Sequence, residues 1–358
     1  MDACPCRGHR ATAGTSRDLS LICRNEMSNI FFLYVIIFGV AVGVTRASIA
    51  WARRQNILDH PNHRSSHTTA TPRGGGIGIV AACAMGLLSG WYLGYIDGRS
   101  AAALASGLPI AISGYIDDRV SLSARTRLAV QIACAGVALY LLPLPALDLF
   151  GLIVPAHIAF GIYLVTTVWM TNLFNFMDGI DGIAAGQSIA IGIVWLALLG
   201  PESAFPAVLL AAAAAGFLVY NRPPAKVFMG DVGSAFCGFY VMIATLSIGP
   251  ATANPWPIVW LLPAAPFILD ATITLLVRLG RGKKPNVAHR SHAYQIASRR
   301  VGRHGPVSLA YFLLAVFWYG PLTYAALNNP AKLSAVLFLV ATLPMVAAAI
   351  YLRAGVDD

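Results

Sequence analysis

Long runs of apolar residues, separated by short polar connections, extend from residue 28 to residue 352. A helix that spans the hydrocarbon core of a bilayer needs about 20 mostly apolar residues, and fewer where its polar ends reach the interface. Backbone groups in lipid must hydrogen-bond within their own segment, so each run is predicted to be a helix. The pattern predicts about eleven membrane-spanning helices: 28–50, 74–96, 101–116, 128–143, 152–172, 183–200, 204–220, 234–249, 256–279, 306–326 and 333–352.

The composition agrees with this pattern, since 57% of the 358 residues are hydrophobic and only 11% are charged. An average soluble domain carries about 25% charged residues, so a soluble globular protein is excluded. The same hydrophobic content excludes an intrinsically disordered chain. The six cysteines show no paired spacing, and neither a disulfide framework nor a zinc site is predicted.

The formal net charge of +10 suggests a polyanionic partner until the positions of the charges are considered. Eighteen lysines and arginines lie in the connections on one side of the predicted bundle, whereas the opposite connections hold only Arg99 and Lys332. By the positive-inside rule the N-terminus is outside and the C-terminus is cytoplasmic. The basicity therefore reflects topology, and no nucleic-acid partner is expected.

Three regions are predicted along the chain. Residues 1–27 carry four arginines on the predicted outer side, against the positive-inside rule, and they lack the apolar core of a signal peptide. They are interpreted as a disordered tail or as the product of a mis-assigned start codon, with Met27 as the expected start. Residues 28–352 form the polytopic membrane domain, and residues 353–358 form a cytoplasmic C-terminal tail.

The acidic residues indicate where the chemistry lies, because six of the fifteen fall in the connections between helices on the predicted cytoplasmic side: Asp59, Asp117, Asp118, Asp178, Asp181 and Asp231. The adjacent carboxylates of Asp117 and Asp118 stay ionised only beside a cation, which is either Arg119 or a divalent ion such as Mg²⁺. Asp231 stands between two glycines just before a predicted helix. It is either the N-cap of that helix or a metal ligand in a tight turn.

The connection after the fifth predicted span is polar and contains no basic residue. It holds Asn172, Asn175, Asp178 and Asp181. On a helix, the two asparagines share a face and so do the two aspartates, because each pair is spaced by three residues. Helix capping explains one of these four side chains, so the group indicates a functional site.

Two further connections carry groups suited to phosphate. Arg64 and Arg73 offer planar forks for phosphate oxygens, and residues 74–76, all glycine, would let backbone amides approach an anion. His289 and His292, with Arg290 between them, lack a third ligand for zinc and suit an anionic ligand better. The alternative for this second connection is a surface helix that touches anionic lipid.

Asp270 lies near the middle of the ninth predicted span. Ionisable residues at that depth are rare and are functional candidates. Asp270 is either neutral or faces the polar site through the bundle.

Taken in chain order, these motifs resemble the polyprenyl-phosphate N-acetylhexosamine-1-phosphate transferase family (glycosyltransferase family 4) over residues 28–352. The family includes undecaprenyl-phosphate GlcNAc-1-phosphate transferases and phospho-MurNAc-pentapeptide transferases. The resemblance implies an all-α integral membrane enzyme of the inner membrane whose active site faces the cytoplasm. It would transfer an N-acetylated amino-sugar 1-phosphate from a UDP-sugar to undecaprenyl (polyprenyl) phosphate and release UMP. Mg²⁺ is the implied cofactor, Mn²⁺ is an acceptable substitute, and a homodimer is compatible with the family.

The resemblance also implies roles for individual residues. The implied metal ligands are Asp231, Asn172, Asp117 and Asp118, and the last two are alternatively a base for the lipid phosphate. Asp178 and Asp181 would lie near uridine and the diphosphate, and His289 and His292 near the donor phosphates. Phe228 would stack on uracil. The implied substrate-binding residues are Arg64, Arg73, Asn172, Asn175, Phe228 and Arg290.

Two departures narrow the branch of the family. Asp118 is followed by Arg119 instead of a third aspartate, and residues 289–295 (HRSHAYQ) lack consecutive histidines. This version is similar to members that initiate O-antigen or other surface polysaccharides in lipopolysaccharide and cell-envelope synthesis, and it leaves the amino sugar open. The alternative is a polytopic transporter or lipid flippase, but the sequence shows no internal repeat and its polar motifs gather at one interface.

Overall fold

The computed structural model of the chain describes residues 16–59, 70–149, 152–248, 257–284, 289–329 and 331–356. Within these ranges the protein is almost entirely helical, and helices occupy all eleven predicted segments. The α-helices are α1 (Ser16–Arg54), α2 (Ile77–Tyr92), α3 (Gly98–Ala105), α4 (Leu108–Val120), α5 (Ala124–Leu141), α6 (Ala156–Met177), α7 (Ile183–Ser203), α8 (Phe205–Asn221), α9 (Asp231–Ile248), α10 (Ala265–Gly280), α11 (Ala293–Val301), α12 (His304–Leu313), α13 (Gly320–Leu327) and α14 (Ala331–Leu352).

Four two-residue strands form two antiparallel pairs. β1 (Leu58–Asp59) pairs with β2 (Thr71–Pro72), and β3 (Asp148–Leu149) pairs with β4 (Leu152–Ile153). The first pair leads the chain into the start of α2, which is one of the elements around the candidate site described below.

Six helical segments among the described residues are long and apolar enough to cross a membrane: 27–54, 156–177, 183–203, 231–248, 259–280 and 304–327. Shorter apolar helices run through 77–92, 205–221 and 339–352. Large apolar side chains such as Phe32, Val165 and Ile350 are exposed, as expected for surfaces that face lipid. The prediction of an all-α membrane protein is confirmed, while eleven crossings and the N-out, C-in orientation stay predictions.

Three of the predicted spans are interrupted. The third divides into α3 and α4 beside Gly107, where a Cβ would lie 2.5 Å from the Phe239 ring. The ninth begins as a 3₁₀ helix over Pro257–Ala264 before α10. The tenth contains a π-helical turn over Leu314–Tyr319, immediately before Pro321, which has no amide hydrogen to continue a regular helix.

The core of the bundle surrounds α9, which is the most buried of the six long apolar segments. Its neighbours include α2, α4, α6 and α8. Every residue from Val232 to Leu246 is buried, so all faces of α9 are covered, as expected for a helix that is apolar all round. The N-terminus of this central helix is Asp231, so one predicted site residue lies where several elements converge.

The predicted terminal regions are described only in part. Residues 1–15 lie outside the described ranges, and the backbone of residues 16–26 continues directly into the rest of α1. At the other end, the amide of Gly355 donates to the carbonyl of Ser291 at 2.8 Å, so this part of the C-terminal region packs against the segment before α11. The three predicted domain boundaries and the start at Met27 stay predictions.

Candidate active site

An alternating cluster of carboxylates and guanidinium groups lies at the N-terminus of α9. Arg73 Nε is 2.8 Å from an Asp118 carboxylate oxygen, and its Nη2 is 3.0 Å from Asp231 Oδ1. Arg127 Nη1 is 2.7 Å from Asp117 Oδ2 and 3.4 Å from Asp231 Oδ2. The two arginines therefore bridge three predicted acidic site residues, with Asp231 in the middle.

Asp118, rather than Asp231, caps α9. Its carboxylate accepts the amide of Asp231 at 3.1 Å and that of Val232 at 3.5 Å. Such bonds satisfy amides that have no partner within the helix. Gly230 has a φ of +72°, and a Cβ there would lie 2.4 Å from the Asp118 carboxylate, so the turn requires glycine. The N-cap interpretation of Asp231 is thus wrong, and its carboxylate is directed to Arg73 and Arg127.

Arg119 is not the cation beside the aspartate pair. Its guanidinium lies 3.4 Å from the centre of the Tyr115 ring and 5.0 Å from that of Trp51, in cation–π geometry. The pairing of Arg119 with Asp117 and Asp118, one of two sequence interpretations, is therefore wrong. Arginines from elsewhere in the chain take that place.

Burial changes the acidity of the carboxylates that surround Asp231. It raises the pKa of Asp118, although Arg73 acts in the opposite direction. It raises the pKa of Asp178 well above the usual range, and the charges of Asp231, Asp118 and Asp181 add to the effect. Several carboxyl groups are thus crowded at this end of the bundle, and a nearby cation would stabilise their ionised forms.

A cavity of about 70 Å³ opens beside the charged cluster. Its polar lining comes from four helices: Ser113, Arg127, Gln131, Asn172, Asn175 and Asp231. Asn172 donates to Gln131 at 2.7 Å and to the Val168 carbonyl at 2.8 Å, while Asn175 donates to Ser234 at 3.0 Å. The prediction that Asn172 and Asn175 share a helix face is confirmed, because both reach this cavity from α6.

The donor groups of the cavity fit a hard divalent cation. Asp231 offers a carboxylate, and Asn172 offers an amide oxygen whose bond from Gln131 is long, at 3.4 Å. Oxygen donors are those that Mg²⁺ prefers. In the part of the chain that the structure describes, no three His, Cys, Asp or Glu side chains are grouped for a metal. Among the residues that line the cavity, Asp231 and the amide of Asn172 are the oxygen donors that would suit such a cation.

Asp178 and Asp181 do not share a helix face, so that prediction is wrong. α6 ends at Met177 and α7 begins at Ile183, which leaves both aspartates in the connection. Asp181 lies 3.2 Å from His304 and accepts the amide of Ala225 at 3.0 Å. The helix stops before Asp178, whose ψ is +49°, and α7 begins after Gly182, which has a φ of +77° and whose amide donates to Asn221.

The glycines before α2 serve close packing instead of anion binding. The amide of Gly75 donates to the Phe228 carbonyl and that of Gly76 to the Met229 carbonyl, both at 2.9 Å. A Cβ at Gly76 would lie 2.5 Å from the Cα of Gly233. The expected use of these two amides for an anion is therefore wrong. Phe228 is half-buried in the same backbone pairing, where its amide donates to the Pro72 carbonyl.

The histidine segment lies directly before α11. The rings of His289 and His292 stack with centres 4.9 Å apart. Tyr294, two residues later, donates its hydroxyl to the Phe176 carbonyl at 2.9 Å, which joins this segment to the end of α6. Arg290 is half-buried. The pKa of Arg299 is lowered by partial burial of its guanidinium and by the positive charge of Arg290. Arg64 lies outside the described residues.

Sequence reasoning missed Arg127, Gln131 and His304. The charge pattern assigns Arg127 to membrane orientation, and nothing in that pattern separates it from Arg125. A signal does exist, because Arg127 and Gln131 are polar, four residues apart, and on one face at the start of an apolar helix. His304 had no such signal, since its partner Asp181 is more than 100 residues away.

We expect Gly114→Ala to lower activity by at least about tenfold, because a Cβ there would lie 2.5 Å from the backbone carbonyl of Asp231. The added methyl must displace the N-terminus of α9 and with it the Asp231 carboxylate. Gly136→Ala on α5 is the matched control, since nothing lies within 4 Å of its Cβ and alanine favours a helix. Initial rates of purified variants decide this, and equal activity in both would contradict the prediction.

A bundle of apolar helices with a charged pocket lined by four of them defines a multi-pass membrane protein with a candidate active site. Residues 100–249 match the sequence profile of glycosyl transferase family 4. The chain is 31% identical over 338 residues to a decaprenyl-phosphate N-acetylglucosaminephosphotransferase of Mycolicibacterium smegmatis, covering 80% of this chain and 81% of that protein. The chain therefore belongs to glycosyl transferase family 4, a family of membrane transferases, and the predicted resemblance is confirmed.

Two other relatives are also named as polyprenyl-phosphate transferases. A probable undecaprenyl-phosphate N-acetylglucosaminyl 1-phosphate transferase of Bacillus subtilis is 32% identical over 53% of this chain and 54% of its own length. An undecaprenyl-phosphate alpha-N-acetylglucosaminyl 1-phosphate transferase of Thermotoga maritima is 29% identical over 73% of this chain and 79% of its own. These relatives do not favour the alternative of a transporter or lipid flippase.

Proposed function

We propose that this protein transfers an N-acetylated amino-sugar 1-phosphate from a UDP-sugar to polyprenyl phosphate. UMP leaves, and a polyprenyl-diphospho-sugar is formed. The relatives support this proposal through their names, which specify a polyprenyl phosphate and N-acetylglucosamine phosphate. The single observation that carries it in the structure is the cluster in which Arg73 and Arg127 meet Asp231 at the rim of the cavity.

The main catalytic requirement is to bring two anions together. Phosphoryl transfer depends largely on positioning and on neutralising the charge of the transferred group. The side chains of Arg73 and Arg127 are 39% and 41% exposed, so they can exchange carboxylate oxygens for phosphate oxygens when substrates bind. We assign Arg73 and Arg127 to the phosphates, together with Arg64 and Arg290 from the neighbouring connections.

The attacking group needs little activation. A phosphate monoester has a second pKa of about 6, so the lipid phosphate is already ionised at neutral pH. Asp117 and Asp118 are held by Arg127, Arg73 and backbone amides, which suits them to organise the cluster. Positioning and charge neutralisation are therefore the major contributions, and a carboxylate base is optional.

We further propose that Mg²⁺ binds Asp231 and Asn172, with Mn²⁺ as a substitute. When bound, such an ion neutralises donor phosphate oxygens and helps to orient them. Asp117 and Asp118 would hold Arg127 and Arg73 next to this site. The two arginines would then be released toward the substrates, because the cation takes their place beside the carboxylate.

The remaining predicted residues are assigned to the donor. Phe228 is proposed to stack on uracil, Asp178 and Asp181 to lie near uridine and the diphosphate, and His289 and His292 to lie near the donor phosphates. The site would face the cytoplasm from the inner membrane, where a soluble nucleotide meets a lipid-bound acceptor. The product would begin an O-antigen or another surface polysaccharide, and a homodimer is the proposed assembly.

Purified protein with polyprenyl phosphate and Mg²⁺ is expected to release UMP from at least one UDP-amino sugar. The panel should include UDP-GlcNAc and its 6-deoxy analogues UDP-FucNAc and UDP-QuiNAc, with coupled detection of UMP and mass analysis of the lipid. Reactions without lipid phosphate are the control, and hydrolysis alone would appear there. Absence of UMP from every donor would contradict the transferase, whereas an unchanged rate in EDTA would contradict the metal.

A further inference from the structure

Asp270, left open by the sequence, lies at the centre of a buried polar cluster. Its side chain is buried in α10, and its carboxylate accepts the amides of Ala293 at 2.9 Å and Tyr294 at 3.0 Å. Tyr311 donates its hydroxyl to the same group at 2.5 Å, and Thr274 does so at 3.2 Å. Every one of these partners is a donor, which is the environment that a buried carboxylate requires.

The two amides identify the structural task of Asp270. Ala293 and Tyr294 are the first residues of α11, and their amides have no partner within the helix. An N-cap side chain normally accepts one of them. Here a carboxylate from α10 accepts both, so the start of α11 is built on a residue 23 positions earlier in the chain.

His292 completes this junction. Its Nδ1 lies 3.5 Å from an oxygen of Asp270, and its ring stacks on Tyr294 with centres 5.8 Å apart. Its ring also stacks on His289, so the carboxylate touches one of the two histidines assigned to the donor phosphates and is linked to the other through that ring. The place of these rings is therefore set by where Asp270 holds the helix.

Tyr294 links the start of α11 to the end of α6, which lines the cavity. Its hydroxyl donates to the carbonyl of Phe176, and a Cβ on Gly179 would lie 2.2 Å from that hydroxyl oxygen. Asn175, which lines the cavity, and Asp178 belong to this stretch of chain. A shift of Tyr294 would therefore disturb the end of α6 and the start of the connection, where Asn175 and Asp178 lie.

We propose that Asp270 is a positioning residue that fixes the start of α11 and, through Tyr294, sets the histidine segment against the Asn175–Asp178 segment. Asp270 does not line the cavity and has no direct contact with Asp231 among the interactions described. Its effect on catalysis rests on the proposed transferase function. Its effect on α11 does not, because that depends only on the hydrogen bonds above.

Hydrogen exchange tests the structural part without any assay of activity. In full-length protein in lipid nanodiscs, Asp270→Asn should raise the exchange rate of peptides spanning 293–301 by about tenfold or more, because an amide-capping carboxylate is lost. Thr272→Val is the matched control. Thr272 lies on α10 like Asp270, but its hydroxyl accepts a 3.2 Å hydrogen bond from Trp169 of α6, not from α11. Unchanged exchange in Asp270→Asn, or equal acceleration in Thr272→Val, would overturn the proposal.

Kinetics test the positioning part. Asp270→Asn should raise the KM for the UDP-sugar several-fold more than the KM for polyprenyl phosphate, because the histidine segment is assigned to the donor. Tyr294→Phe should reproduce this split while α11 keeps its slow exchange, since only the link to Phe176 is removed. Equal changes in both KM values would show a general structural defect and contradict positioning.

The two measurements also separate this proposal from the transferase itself. If wild-type protein releases no UMP, the proposed function fails while hydrogen exchange still decides whether Asp270 holds α11. If Asp270→Asn does not yield folded protein, Tyr311→Phe removes one donor to the same carboxylate and should give a smaller increase in exchange of the same peptides.

Discussion

Asp231→Asn is expected to lower turnover by at least about 10³-fold while the protein still inserts and folds. The carboxylate lies between Arg73 and Arg127 and lines the same cavity as Asn172, so its removal deprives the cavity of its central anion. Asparagine keeps the shape of the side chain but supplies no charge to a cation. The two guanidinium groups would lose the group that aligns them across the cavity.

The measurement is the rate of UMP release at saturating donor and Mg²⁺, with insertion followed by extraction and size-exclusion chromatography. Glu202→Gln, an exposed acid in the α7–α8 region, is the control for loss of one negative charge. Asp231→Glu separates charge from geometry, because it restores the charge but lengthens the side chain. Near-wild-type turnover in Asp231→Asn would remove Asp231 from the metal site.

Asp118→Asn should reduce both activity and stability, because one carboxylate performs two tasks. It pairs with Arg73 at 2.8 Å and accepts the first amides of α9. Its side chain is only 3% exposed, but Arg73 is 39% exposed, so solvent reduces the value of the pair. We expect a loss of about 1–3 kcal/mol in the free energy of unfolding and about 100-fold in turnover.

Asp97→Asn is the matched control for this variant. Asp97 caps α3 by accepting the amides of Arg99 and Ser100, at 2.9 Å and 3.0 Å, and it lies in a different connection of the bundle. Thermal unfolding and UMP release should fall together in Asp118→Asn, whereas Asp97→Asn should lose stability alone. If both variants retain activity, Asp118 serves only as a helix cap.

The positions of the helices follow from hydrophobicity, which is a local property of the chain. All eleven predicted segments contain helices, because an apolar run must satisfy its backbone within itself. Local reasoning was weaker where a helix stops. Asp178 and Asp181 have helical spacing, yet α6 ends before Asp178, and Gly182, held by Asn221, begins the next helix.

The partners of the acidic residues required the folded chain. The motifs single out Asp117, Asp118 and Asp231, but they do not reveal that Arg73 and Arg127 pair with them, because Asp231 is 104 positions from Arg127. Glycine residues were ambiguous for the same reason. Gly76 is needed because Gly233 approaches it, and no neighbour in the sequence reveals that contact.

From the order of its residues alone, this chain was recognisable as a multi-pass helical membrane protein of the polyprenyl-phosphate sugar-phosphate transferase type, with its polar groups gathered toward one face. The hydrophobicity of a helix and a short motif are both properties of neighbouring residues, so they can be recognised without knowing which segments contact each other. The pairing of Asp118 with α9, of Arg127 with Asp231 and of Asp270 with α11 came from packing. Each joins distant segments, and the geometry of a buried charge depends on donors that only the folded bundle brings within about 3 Å of it.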